Sequence, residues 1–251
     1  MHIKEFPKHS FRSLGEQLGL EPEMFDDHLV VHTPMWRKAL SAESRFCKAV
    51  VAAGYLTERQ MRRAAWRYRL GISRQGGVIF WQIDQEQRIH DGKVMYYQSD
   101  CHRDKHHHPT WVSTLLCRRY HWHDCQQASH CFFGLHLLTP SLLTPTAIVE
   151  AEKTAVILSE RYPQYLWLAT GGLGEVQADK FRPLKGRKVV LFPDTDPDGI
   201  AYRRWYEAAQ QVMQQPFWED SPPIYVSPLL ERHATPEQKT AKIDLIDFVS
   251  N

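Results

Sequence analysis

Apolar positions in the C-terminal half come in short runs that end on acids. Ala147-Ile148-Val149 runs into Glu150, and Val189-Val190-Leu191-Phe192-Pro193 runs into Asp194-Thr195-Asp196-Pro197-Asp198-Gly199. Unbroken apolar runs of three to five residues, without polar alternation, predict strands buried on both faces, as in a parallel sheet. Reading the helical signals between them gives strand 146–149, helix 151–162, strand 165–168, a glycine loop at 171–174, strand 188–192, helix 199–214 and strand 223–226. This alternation predicts an α/β domain. In open parallel sheets ligands gather outside the carboxyl ends of the strands, which is where Glu150 and Asp194 fall.

The N-terminal half reads differently. Residues 41–69 carry a helical pattern in two pieces, broken near Gly54 and restarted with Thr57 as N-cap. The second piece sets Arg59, Arg62, Arg63 and Arg67 at three- and four-residue spacings, hence along one side of a helix. Residues 77–84 read as a strand, and residues 92–97 as its antiparallel partner after a turn placed at Asp91-Gly92. The expected organisation is an α+β lobe over residues 1–130 and an α/β domain with a helix-flanked parallel sheet over residues 131–251.

Length and composition narrow the class. A chain of 251 residues can bury a core without disulfides. Its five cysteines form no Cys-x-x-Cys pair, which argues for a reducing compartment. No apolar stretch reaches membrane-spanning length, and Met1–Pro7 lacks a signal-peptide core, so a soluble cytoplasmic protein without membrane contact is expected. The net charge of +2 hides an asymmetry: residues 1–130 hold 19 basic against 14 acidic residues, and residues 131–251 hold 12 against 15. Such a division suits a polyanion held in the first half and phosphate chemistry in the second. The arginine face would then track a nucleic-acid backbone, because guanidinium matches phosphate. The competing reading is a solvated face with its stems packed on apolar neighbours.

Residues 101–131 are rich in histidine and cysteine, including Cys101-His102, His106-His107-His108, His121, His123, Cys125 and His130-Cys131. Zinc needs four well-spaced ligands, usually as two close pairs, and these spacings are irregular. A polar segment whose cysteines pack as small apolar groups is the expectation, with zinc disfavoured. The segment 131–138 reads as packing and domain entry.

The acids of the second half carry the candidate chemistry. Two strand ends delivering Glu150, Asp194, Asp196 and Asp198 to one sheet edge cannot hold all four ionised without a cation, because like charges raise one another's pKa. Hard oxygen donors predict Mg²⁺, or Mn²⁺ in its place. The alternative is that the three aspartates cap the helix beginning near Gly199. Three acids in five residues exceed what capping needs.

These segments resemble the Toprim domain shared by primases, topoisomerases and some nucleases. That family carries a glutamate after its first strand, a glycine-bearing second loop and an Asp-x-Asp-x-x-Gly after its third, matched here by Glu150, the Gly171-Gly172 loop and Asp194–Gly199. Ala151 stands where primases usually carry glycine. Lys242-Ile243-Asp244-Leu245-Ile246-Asp247 is similar to the acidic element that closes primase-type versions. The resemblance makes Lys153, Gly172, Asp244 and Asp247 auxiliary candidates. Over residues 60–100 a weaker resemblance to the primase N-terminal lobe has Gln87 in place of the turn glycine, from which a longer hairpin is expected, and places Lys93 in the groove between lobes.

What the resemblance implies is a magnesium-dependent, primase-like nucleotidyltransferase of phage or mobile-element type, lacking the N-terminal zinc-binding module. Its catalytic and metal-binding residues would be Glu150, Asp194 and Asp196, with Asp198 as a further ligand. Glu150 is assigned in the family either metal ligation or acid–base work. Single-stranded DNA would lie on Arg62, Arg63, Arg67 and Lys93; nucleoside triphosphates would be substrates, and a helicase or zinc-module protein a partner. No Gly-x-x-x-x-Gly-Lys-Ser/Thr loop is present, which excludes a fused helicase. A metal-dependent nuclease and a non-catalytic nucleic-acid-binding accessory protein are the alternatives.

Overall fold

The computed structural model describes residues 44–73, 75–119 and 129–250. The expected helix start at Ser41, the N-terminal residues, His121, His123 and Cys125 lie outside them. Two compact units divide the chain, Met1–Leu137 and Leu138–Asn251. Among the described residues no helix is long and apolar enough to cross a membrane.

The first unit begins with helices α1 (Arg45–Ala52) and α2 (Glu58–Arg67). Ser44 caps α1 by accepting from the Cys47 N–H, and the chain breaks at Gly54, which has φ 74°. Thr57 opens α2 with a reciprocal capping box: its hydroxyl accepts from the Gln60 N–H, and the Gln60 side chain accepts from the Thr57 N–H. Strands β1 (Gly71–Ile72), β2 (Val78–Ile83), β3 (Ile89–Met95) and β4 (Thr110–Trp111) follow in that order in one antiparallel sheet, and α3 (Val112–Arg119) comes directly after β4.

All six residues of β2 are buried, because both faces of the sheet are covered. On one face Phe80 meets Phe46 and Phe133 edge-on, each with ring centroids 5.4 Å apart, and Phe133 stacks on Tyr68 at 5.0 Å. These contacts tie residues 131–137 to the first unit, a boundary several residues later than the sequence pattern placed it. On the other face lies the buried indole of Trp81, with Gly71 on β1 and Gly92 on β3 beside it.

The β2–β3 hairpin corrects the expected turn. It reverses at residues 84–87, where Gln87 N–H donates to the Asp84 carbonyl and Asp84 N–H to the Arg88 carbonyl. Gln87 itself takes the left-handed conformation, φ 68°, so no longer loop is required. Its side-chain amide donates to the His136 carbonyl, a contact glycine could not make. Asp91 and Gly92 are strand residues. Gly92 is there for space: an added Cβ would stand 2.7 Å from Trp81 Cε3 and 2.8 Å from Ile79 Cγ2. Gly92→Ala is therefore expected to destabilise the first unit by about 1–3 kcal/mol, the usual cost of overpacking a filled core, measurable by chemical denaturation.

In the second unit strands β5 (Thr146–Val149), β6 (Leu166–Ala169), β7 (Val189–Phe192) and β8 (Tyr225–Val226) form a parallel sheet in the order β6-β5-β7-β8. Helix α4 (Glu152–Arg161) links β5 to β6, and α5 (Ile200–Met213) lies between β7 and β8. Three short helices close the chain: α6 (Leu229–His233), α7 (Pro236–Ala241) and α8 (Leu245–Ser250). This is the expected α/β architecture, with element ends moved by a residue or two. The chain passes from β5 outward to β6 and then back across to β7, so the carboxyl ends of β5 and β7 flank a reversal of strand order. Open parallel sheets have their ligand crevice at that point.

Candidate functional site

Glu150 directly follows β5, and Asp194 lies two residues beyond β7. The two strands are hydrogen-bonded neighbours in register, Val149 opposite Phe192. Glu150 is braced through its backbone: Gly171 N–H donates to its carbonyl at 2.9 Å, and Thr170 N–H donates to the Val149 carbonyl at 3.0 Å. Gly171 has φ 85°, which favours glycine. Gly172 accepts from the Thr170 hydroxyl through its carbonyl and holds the shape of the loop.

A further connection brings in the C-terminal acids. Thr195 N–H donates to the Ile243 carbonyl at 3.2 Å, joining the loop after β7 to the residues before α8. Asp244 and Asp247 cap the start of α8 reciprocally, Asp244 Oδ1 accepting from the Asp247 N–H at 2.9 Å and Asp247 Oδ2 from the Asp244 N–H at 3.4 Å. From α4, the Thr154 hydroxyl donates to Asp244 Oδ2, and Lys153 Nζ stands 3.7 Å from Asp244 and 3.9 Å from Asp247. The Lys153 side chain is only 13% exposed.

Asp194 records the sum of these charges. Burial, followed by the nearby Glu150 and Asp244 carboxylates, raises its carboxyl well above the usual range; Lys153 opposes the shift and Asp247 adds to it. Lys153 is a cation that Asp194, Asp244 and Asp247 have in common. Carboxylate oxygens are the hard donors that a divalent cation such as Mg²⁺ takes. Among the described residues, however, no group of three or more histidine, cysteine or acidic side chains is arranged to hold a metal ion.

Asp196 does something else. Its Oδ1 accepts from the Asp198 and Ile200 N–H groups, both at 3.0 Å, and its Oδ2 from the Ala201 N–H at 2.7 Å. It therefore serves as the side-chain cap of α5. Burial alone would raise its pKa, but the three N–H donors outweigh that and hold it below the ordinary value. Asp198 is exposed, and its carbonyl accepts from Arg203. The three aspartates thus divide: one faces the carboxylates, one caps the helix and one faces water.

In the first unit Glu58, Arg59, Arg62 and Arg63 line a groove of about 410 Å³. Arg62 pairs with Glu58 at 2.7 Å. Exposed pairs of this kind are worth about 0.3–0.5 kcal/mol, little enough for a phosphate to displace. Arg67 is half-buried, and Lys93, also half-buried, lies on β3 opposite Phe80 and Trp111.

His107 and His130 have different partners. His107 stacks on Tyr96 with its Nδ1 2.8 Å from Asp104, and His130 stacks on Trp111 at 4.0 Å. Cys47, Cys101 and Cys131 are buried among the apolar residues of the first unit, as a packing role requires. Cys117, half-exposed on α3, is disulfide-bonded, a departure from the wholly reduced set expected.

Missed in the sequence reading were the brace from Thr154 to Asp244 and the exposed Trp66. Helical spacing from Arg62 and Arg63 would have placed Trp66 on their face.

No curated protein is significantly similar to the chain. Among solved structures it is similar to the primase fragment of the bacteriophage T7 primase-helicase protein, at 19% identity and a TM-score of 0.44, over 72% of this chain and 63% of that one. The chain thus spans less than two thirds of that fragment. Residues 44–195 match the family described as Domain of unknown function (DUF6371), from the cap of α1 to the loop after β7. That match covers more than half of the sequence, and the chain belongs to the DUF6371 family.

Proposed function

We propose that this chain is a magnesium-dependent nucleotidyltransferase of primase type, joining nucleoside triphosphates into short primers on single-stranded DNA. The observation that carries the reading is Asp194, just beyond the carboxyl end of β7, buried within electrostatic reach of the Glu150, Asp244 and Asp247 carboxylates and of Lys153. A buried carboxyl with further carboxylates beside it is suited to holding a divalent ion.

When bound, Mg²⁺ would neutralise the triphosphate and favour in-line attack by a 3′-hydroxyl. Glu150 and Asp194 supply the oxygen donors from adjacent strands. Asp196 fixes the amino end of α5, and Lys153 restrains Asp244 and Asp247. Arg59, Arg62 and Arg63 supply phosphate contacts in the first unit. A cytoplasmic setting and a helicase or zinc-module partner belong to the same reading.

The test is one incubation of the purified chain with single-stranded DNA, labelled nucleoside triphosphates and Mg²⁺ or Mn²⁺. Primer synthesis requires the triphosphates and yields labelled oligonucleotides. Cleavage of the DNA without triphosphates would replace this reading with a nuclease. Binding without either reaction would leave an accessory role.

A further inference from the structure

Helix α2 carries a half-exposed aromatic group on its arginine-bearing side. Trp66 is 51% exposed, whereas Met61, Ala64 and Ala65 on the same helix are buried. At about 100° per residue, Arg59, Arg62, Arg63 and Trp66 fall within one arc of about 100°, with the indole between Arg62 and Arg59. The buried residues occupy the opposite side. A half-exposed indole presents a flat apolar surface to solvent, here on the same side of the helix as three guanidinium groups.

We infer that Trp66 is a base-stacking platform for single-stranded nucleic acid, with Arg59, Arg62 and Arg63 holding the phosphates on either side. The occupant follows from the two chemistries together. Three arginines complement a polyanion, and an exposed indole complements a flat ring, a combination that single-stranded nucleic acid offers in every nucleotide. Duplex DNA buries its base faces in the stack, so the platform selects unpaired strands. This inference rests on the nucleic-acid reading of the basic face and adds the group that would distinguish single strands from other polyanions.

The experiment is fluorescence anisotropy of a labelled oligo-dT titrated with the full chain across a salt series. Trp66→Ala should weaken binding by about tenfold to a hundredfold, the range of one lost stacking contact. Its log–log salt slope should match the parent, because stacking releases no counterions. Trp66→Phe should restore most of the affinity. Arg62→Ala/Arg63→Ala should instead flatten the slope by about 0.7 per lost phosphate contact. Parent-like affinity in Trp66→Ala, with the arginine variant weakened, overturns the platform and leaves the basic face intact. No oligo-dT binding by the parent at low salt overturns both and points to an acidic protein as the ligand of this face. Equal loss of duplex and single-strand binding in Trp66→Ala also overturns the platform.

Discussion

Replacing Asp194 with asparagine should make the metal-free protein more stable at pH 7 than the parent, while lowering turnover by about 10²–10³-fold, the scale of one lost preorganised electrostatic group. The two effects share one cause. Burial and the Glu150 and Asp244 carboxylates raise the Asp194 pKa in the folded chain, so the folded state binds that proton more tightly than the unfolded state does. Such a group favours folding most at low pH, and its contribution is lost as pH rises from the ordinary carboxylate range through the raised value. Asparagine removes the titration and the repulsion together. Melts at pH 4 to 8 should therefore show the variant ahead of the parent at neutral pH, with the gap closing toward pH 4. Each kcal/mol of gain corresponds to about 2–4 °C in Tm for a chain of this size. Added Mg²⁺ should raise the Tm of the parent and leave the variant nearly unmoved. A variant that melts early at pH 7 would make Asp194 a structural residue.

The strands of the second unit were legible because burial on both faces leaves unbroken apolar runs in the sequence, and the runs at 146–149 and 189–192 end where the strands end. The start of α2 was legible for an equally local reason, since Thr57 and Gln60 cap it within one turn. What sequence could not supply depended on contacts distant in the chain. Gly92 read as a turn residue until Trp81, eleven positions earlier, was found beside it. Gln87 read as a defect in a hairpin, yet its left-handed backbone and its bond to His136 make the turn. At the candidate site, Glu150 and the aspartates showed their chemistry by type and spacing. The attachment of Asp244 depends on Thr154, ninety residues away, and on the backbone bond from Thr195 to Ile243. Local pattern also could not divide the aspartates among their tasks, because one loop turns them toward different surroundings.

That division predicts opposite behaviour for the neighbouring acid. Asp196→Ala should destabilise the second unit, where Asp194→Asn stabilises it. The alanine leaves the N–H groups of Asp198, Ile200 and Ala201 without their carboxylate acceptor at the start of α5. Loss of a helix cap costs about 0.5–2 kcal/mol, and hydrogen bonds to a charged acceptor place this one toward the upper end. The pH dependence also runs the other way. The folded-state pKa of Asp196 is lowered, so its contribution is fully present above the unfolded value and disappears as pH falls through the folded one. The stability deficit of Asp196→Ala should accordingly be complete at pH 6 to 8 and shrink in acid. Asp196→Asn, which keeps one carbonyl oxygen as an acceptor, should recover part of it. Urea denaturation of the three proteins at pH 7 would show the parent most stable, asparagine next and alanine least. An alanine variant as stable as the parent would return Asp196 from the cap to the carboxylate cluster, with its charge directed at a bound cation instead of at the end of α5.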